Sequence, residues 1–295
     1  MPWVLWRAPK TRRGRTLVRV VFYSLALFLG IPWSFSQILI EGHRQPTDPV
    51  PPGYEETHPV AEGLRLRAWL RIGRPERAAV IAVHGLGDSL ESLTGAAEGY
   101  GRRGHSVLLL DLRAHGGSEG RYTTLGGRER EDVRAAMRLL EERGLATAGF
   151  ILSGVSMGAV AVIRAAAERE DVRAVIAEAP FESYRGTVNH HARLRFGLPA
   201  WLPLIPIAVA VAEWRAGFDA DAVDAVAAAR QMKAPLLAIV DGDDPRMPEP
   251  VVRQVYDAHP GPKRLWVAAG ADHAGAPLRP DYWPTVLGFL DESRL

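Results

Sequence analysis

The chain has 295 residues, 47% of them hydrophobic and 24% charged, which suits one large α/β domain with an appendage or two small domains. Its 36 Lys and Arg against 34 Asp and Glu give a formal net charge of +2, so no overall field selects nucleic acid as a partner. Cysteine is absent, which excludes disulfides, a cysteine nucleophile and cysteine-ligated metal centres without deciding the compartment.

Residues 1–19 are basic, with Arg7, Lys10, Arg12, Arg13, Arg15 and Arg19. Residues 20–40 (VVFYSLALFLGIPWSFSQILI) carry no charge and are long enough to span a bilayer as a helix, with Pro32 a tolerated kink. The basic flank predicts a transmembrane signal anchor with a cytoplasmic amino terminus and the rest of the chain on the extracytoplasmic side. A cleaved signal peptide is the alternative, because Ser34-Phe35-Ser36 is a small-x-small site. Thr11-Arg12-Arg13 also hints at a twin-arginine signal. Residues 41–53 follow as a linker whose stretch RQPTDPVPPG holds four prolines and reads as stiff and extended.

From residue 54 to 295 the pattern alternates. YEETHPV and LRLRAWLRI predict an antiparallel pair joined around Glu62-Gly63. AAVIAV (78–83) is a short continuous apolar run, as expected of a strand buried on both faces. A helical stretch over 89–103 precedes the strand SVLLLDL, and a helix over 128–143 precedes the strand GFILSG. A helix over 157–168, the strand VRAVIAE, the strands APLLAIVD and KRLWVAA, and helices over 250–258 and 282–293 complete the series. Strands alternating with helices predict a doubly wound, mostly parallel sheet covered on both sides. In such sheets ligands collect beyond the carboxyl ends of the strands.

The residues after each strand therefore carry the chemistry. Gly154-Val155-Ser156-Met157-Gly158 places a serine between two glycines at a strand-to-helix junction, the pattern of a tight elbow that exposes a hydroxyl. His84-Gly85-Leu86-Gly87-Asp88 is glycine-rich, and the N–H groups of Leu86 and Met157 are candidate donors to a developing oxyanion. In DLRAHGGSEG (111–120), Asp111, Arg113 and His115 read as structural, because polar groups crowding a turn usually bond backbone. A carboxylate within Gly242-Asp243-Asp244 and His273 in Gly270-Ala271-Asp272-His273 complete the order Ser156, Asp, His. A serine hydroxyl needs an imidazole to take its proton, and the carboxylate holds that imidazole in the right tautomer.

VHGLGDS, DLRAHGGSEG, GVSMGA, PLLAIVDGDDPRMP and GADHAG, in this order, resemble the α/β-hydrolase superfamily over residues 54–295. The resemblance is closest to the Bem46-like and serine-aminopeptidase-like serine hydrolases. It implies the α/β-hydrolase fold, Ser156 as nucleophile, His273 as base, and Leu86 and Met157 N–H groups as oxyanion hole. The family reads Gly-x-x-Asp-x-x-x-Pro at the acid, and this chain is one residue short between Gly242 and Asp244. Asp244-Pro245-x-x-Pro248 keeps the downstream half, so Asp244 is taken as the acid, with Asp243 and Asp241 as alternatives.

Residues 181–233 are longer than an ordinary connection and predict a helical cap insertion. Residues 198–214 (LPAWLPLIPIAVAVAEW) are nearly uncharged and would line the mouth with apolar groups suited to an acyl chain. His190-His191 in the same insertion point apart on a helix and do not make a metal site. The expectation is a membrane-anchored serine hydrolase that cleaves an ester, thioester or related acyl bond of a small-molecule or lipid-like substrate, without cofactor or metal. A serine peptidase and a non-catalytic binding protein of the same fold are the alternatives.

Overall fold

The computed structural model describes residues 12–199 and 201–293; residues 1–11 of the predicted basic segment lie outside the described residues. Its centre is an eight-stranded sheet: β1 (Glu55–Thr57), β2 (Ala68–Arg71), β3 (Ala79–Val83), β4 (Val107–Leu110), β5 (Phe150–Val155), β6 (Val172–Glu178), β7 (Leu236–Asp241) and β8 (Lys263–Ala268). Across the sheet the order is β1-β2-β4-β3-β5-β6-β7-β8. All neighbours from β4 to β8 pair in parallel, whereas β2 is antiparallel to both β1 and β4. Val60–Ala61 and Leu64–Arg65 close a separate hairpin around Glu62 and Gly63.

The parallel strands are apolar on both faces because both faces are covered. Ile81 and Val83 of β3 face one core with α3 (Glu129–Glu142) and α4 (Met157–Ala166), while Val80 and Ala82 face a second core. That second core is built with α2 (Thr94–Arg102) and α9 (Tyr282–Glu292). All ten residues of α4 are buried, so its Ala and Gly content reflects space and not solvent. Residues 181–233 hold α5 (Tyr184–Phe196), α6 (Leu204–Ala216) and α7 (Ala225–Gln231), and α8 (Glu249–Ala258) follows β7. In α6, Ile205 and Val209 are buried in the main core, whereas Trp201 just before it and Trp214 near its end are exposed.

A membrane-spanning segment over residues 20–40 is not supported. The residues do form one helix, α1 (Arg12–Ile40), yet among the described residues no helix is long and apolar enough to cross a membrane. The side chains of residues 25–29, midway along that segment, lie outside the described residues. Ser24, Gly30, Pro32, Ser34, Ser36 and Gln37 interrupt the apolar run, and its last turns are packed on protein. Ile40 is fully buried against Ala212 and Ala216 of α6, a burial worth about 1.5–3 kcal/mol. Phe35 meets Phe196 edge-on, and Arg215 stacks on Trp33 while bonding Ser36 Oγ and Gln37 Oε1. Beyond Ile40 the chain stays on the domain: His43–Arg44 pairs with His115–Gly116, and Arg67 bonds the Asp48 carbonyl.

Candidate active site

Ser156 is the single residue between β5 and α4, and its backbone is forced into an unusual conformation, φ 53° and ψ −115°. Side chains with a Cβ rarely occupy this region, and the strain costs about 1–3 kcal/mol. Two hydrogen bonds hold it: Ser156 N–H donates to the Glu178 carbonyl at 2.8 Å, and Val160 N–H donates to the Ser156 carbonyl at 3.1 Å. The flanking glycines are sterically required. A Cβ on Gly158 would lie 2.5 Å from the His84 carbonyl oxygen, and one on Gly154 would lie 2.5 Å from Gly158 backbone. The elbow is thereby pressed onto its neighbours, with Ser156 at the carboxyl end of the sheet and only 6% exposed. Its Oγ makes no hydrogen bond to protein among the described residues, so no bond joins it to His273 here. Such contacts often tighten only when substrate is bound.

The loop after β3 runs beside this serine, since a Cβ on Gly85 would sit 3.5 Å from Ser156 Cβ. Its shape is set by His84, whose Nδ1–H donates to the Gly85 carbonyl at 2.7 Å and whose Nε2 accepts from Leu112 N–H at 3.1 Å. Burial lowers the His84 pKa, so this imidazole is neutral and serves as a fixed brace. Gln45 adds a second brace by donating to the Gly87 carbonyl at 2.9 Å. Among the described residues, neither Leu86 N–H nor Met157 N–H has a protein acceptor, which leaves both amides available to an anionic oxygen.

On the other side, the loops after β7 and β8 carry Asp244 and His273. The Asp244 Oδ2 to His273 Nδ1 distance is 2.6 Å, with the Asp244 side chain fully buried and that of His273 16% exposed. Burial alone would raise the Asp244 pKa, but the His273 hydrogen bond and charge, with the backbone N–H groups of Arg246 and Met247, hold it below the usual carboxylate value. Asp243 is exposed, its N–H donating to the Ala271 carbonyl at 2.9 Å. Asp241 is buried and accepts from Ala274 N–H at 2.8 Å and Ala276 N–H at 3.0 Å. Of the three carboxylates left open by the sequence, Asp244 alone is hydrogen-bonded to the histidine.

Asp241, Asp244 and His273 each offer a metal-type ligand atom within 4.8 Å of the others. These atoms already accept from backbone N–H groups or pair with each other. In the insertion, His190 Nε2–H donates to the Pro245 carbonyl at 2.9 Å and so ties α5 to the acid loop, while His191 Nδ1 faces the Thr187 carbonyl. Asp111, Arg113 and His115 are structural, as expected. Asp111 accepts from Leu90 and Gly117 N–H groups, Arg113 grips Asp132, and His115 bonds the Arg113 carbonyl. A surface groove lined by Ala78, Glu170, Val172, Arg173 and Lys233 opens at the opposite ends of the strands and contains no histidine.

Glu178 was not singled out by sequence. It ends β6, is 2% exposed, and accepts from Ala276 N–H at 3.1 Å behind the His273 loop. The available signal was a carboxylate closing the otherwise apolar run VRAVIAE.

Comparison with known proteins agrees with this geometry. The sequence pattern of the family described as serine aminopeptidase, S33, matches residues 74–211, which include the Leu86 loop and the elbow. The uncharacterized protein YqkD of Bacillus subtilis is 33% identical over 192 residues, 64% of this chain and 63% of YqkD, so the chain spans about two-thirds or less of that relative's length. The thiohydrolase aneE of Aspergillus aculeatus is 33% identical over 123 residues, 40% of this chain and 39% of that protein. The esterase Pf2001 of Pyrococcus furiosus superposes with a TM-score of 0.69 at 23% identity, over 86% of this chain and 98% of the esterase. With the sheet order, the elbow and these matches in hand, the chain has the α/β-hydrolase fold.

Proposed function

We propose that the protein is a serine hydrolase that cleaves an ester, thioester or related acyl bond through Ser156, His273 and Asp244. The observation that carries this reading is the 2.6 Å bond between His273 and Asp244 at the strand ends beside a serine held on a strained elbow. A binding protein has no use for a buried carboxylate that orients an imidazole.

In this mechanism His273 Nε2 takes the Ser156 proton as Oγ attacks the acyl carbon, and Asp244 stabilises the imidazolium through Nδ1–H. Leu86 and Met157 N–H groups receive the oxyanion of the tetrahedral intermediate. His273 then returns the proton to the departing alkoxide or thiolate, leaving an acyl-Ser156. Water, deprotonated by His273, attacks that acyl group, and the acid is released with the proton back on Ser156 Oγ. Asp244 carries its negative charge throughout.

Residues 181–233 are proposed to act as a cap. The His190 tether to Pro245 supports a position over the acid loop, and the exposed Leu194, Phe196, Trp201 and Trp214 suit a hydrophobic acyl group. The esterase activity in one relative's name and the thiohydrolase activity in another's are consistent with acyl esters and thioesters as the substrate class. The test is labelling by a fluorophosphonate, followed by a panel of p-nitrophenyl esters, acyl thioesters and aminoacyl peptides. Turnover of esters or thioesters supports the reading. Turnover of peptides alone replaces it with the peptidase alternative, and no labelling or turnover leaves the binding-protein alternative.

A further inference from the structure

Two buried carboxyls behind the triad have no role in the steps above. Glu178 ends β6 and Asp241 ends its parallel neighbour β7, and they are 2% and 1% exposed. Ala276 N–H lies 3.1 Å from Glu178 Oε1 and 3.0 Å from Asp241 Oδ1, so the two side chains converge on one donor. Asp241 Oδ2 accepts a second N–H, from Ala274 at 2.8 Å. Neither carboxyl has a salt-bridge partner among the described residues. One shared N–H cannot balance two adjacent buried charges, and like charges this close cannot both ionise.

We propose that Glu178 and Asp241 share a single proton and that the singly protonated pair positions the catalytic histidine. Both Asp241 oxygens accept backbone N–H groups, so the proton resides on Glu178 and is donated to Asp241. Asp241, carrying the charge, grips Ala274 and Ala276 just after His273, and Ala274 is held at φ 65°. Glu178 joins that loop to the nucleophile, because its own carbonyl accepts the Ser156 N–H at 2.8 Å. The base loop is thus fastened to this pair of side chains, and the serine elbow to the Glu178 backbone beside them, so the two carboxyls act as positioning residues.

The groups facing the pair agree. Burial and mutual repulsion raise Glu178 well above the carboxylate range; burial raises Asp241 to about 6, and the nearby Asp244 charge pushes the same way. His273 opposes this for Asp241. Tyr100 and Tyr282, on the other side, are buried and raised, Tyr100 to about 12, so both are neutral neighbours at working pH. Loss of the shared proton at alkaline pH sets two carboxylates against each other around one N–H and loosens the His273 loop.

The inference rests on the triad reading, and labelling of Ser156 separates the two. If the parent protein is not labelled at Ser156, the triad reading fails. If it is labelled, the following variants decide on the pair. Glu178→Gln keeps a neutral donor to Asp241 and is expected to hold kcat/KM at pH 7 within about threefold of the parent. Its alkaline limb of kcat/KM is expected to move up by about one pH unit or more, because no carboxyl proton remains to be lost. Asp241→Asn puts an NH2 group against a backbone N–H and is expected to lower kcat by about tenfold or more with KM changed less than about twofold. Glu178→Ala should resemble Asp241→Asn; if it does not fold, the Glu178→Gln profile still decides. An unshifted alkaline limb in Glu178→Gln, or equal tolerance of Asn at 241 and Gln at 178, overturns the shared-proton account.

Discussion

His273 Nδ1 and Asp244 Oδ2 stand 2.6 Å apart across the carboxyl ends of the neighbouring strands β8 and β7. This bond selects one aspartate from three closely spaced candidates. Asp244→Asn is expected to lower kcat by roughly 10²–10⁴-fold, because an amide favours the wrong imidazole tautomer and cannot stabilise the imidazolium. Asp243→Asn should change kcat by less than about threefold, since its side chain is exposed and away from the histidine. Steady-state kinetics on one ester checks both. A greater loss from Asp243→Asn would place the acid one residue earlier.

The same bond has a pH signature in stability. The native pKa of Asp244 is below its ordinary value, so its contribution is fully present above the unfolded pKa and is lost as pH falls through the native one. The unfolded value is about 3.9, which puts the window below about pH 4. The stability difference between the parent and Asp244→Asn should therefore be constant near neutrality and shrink below about pH 4, as read by urea unfolding at several pH values. A difference independent of pH in that range would contradict the pairing.

The elbow makes a steric prediction. A Cβ on Gly158 would meet the His84 carbonyl oxygen at 2.5 Å and the Val83 carbonyl oxygen at 2.7 Å, and backbone cannot swing aside as a flexible side chain can. Gly158→Ala should destabilise the fold by about 1–3 kcal/mol and cut esterase activity disproportionately, because the strand–helix contact sets the serine's position. Gly144, where an added Cβ meets nothing within 4 Å, has the positive φ that Gly158 lacks and none of its collision. Gly144→Ala should leave activity unchanged, and thermal melts with ester assays on the two variants separate strain from collision.

Much of this arrangement was legible in the sequence. Short apolar runs such as AAVIAV become strands because both faces are covered, and Ala79–Val83 departs from the predicted run by one residue. Which aspartate meets His273 was less legible, because it depends on one turn. Asp243 N–H bonds Ala271, and Asp244 N–H bonds the Asp241 carbonyl at 3.2 Å, which throws Asp243 outward and Asp244 inward. Glu178 escaped notice because its partners, Asp241 and Ala276, are remote in sequence. The docking of the end of α1 was not legible, because an apolar residue such as Ile40 reads the same in sequence whether lipid or α6 covers it. Arg215, which decides for docking over its last turns, lies about 180 residues away, at separations of 179 from Ser36 and 178 from Gln37.

That docking is itself testable. Arg215 stacks 4.3 Å from the Trp33 ring centroid and bonds Ser36 Oγ at 2.9 Å. Arg215→Ala should release the end of α1, weakening its attachment by about 1–3 kcal/mol. Hydrogen exchange at residues 33–40 should speed up while β5 and α4 stay protected. Unchanged exchange would show that apolar packing around Ile40 suffices alone.

The most direct measurement is mass spectrometry of the full chain after reaction with a fluorophosphonate, with Ser156→Ala in parallel. The account predicts one adduct per chain, on the peptide carrying Ser156, no adduct on the folded variant, and ester turnover lowered by roughly 10⁴-fold or more in that variant. An adduct on another residue, or undiminished turnover by folded Ser156→Ala, would contradict it.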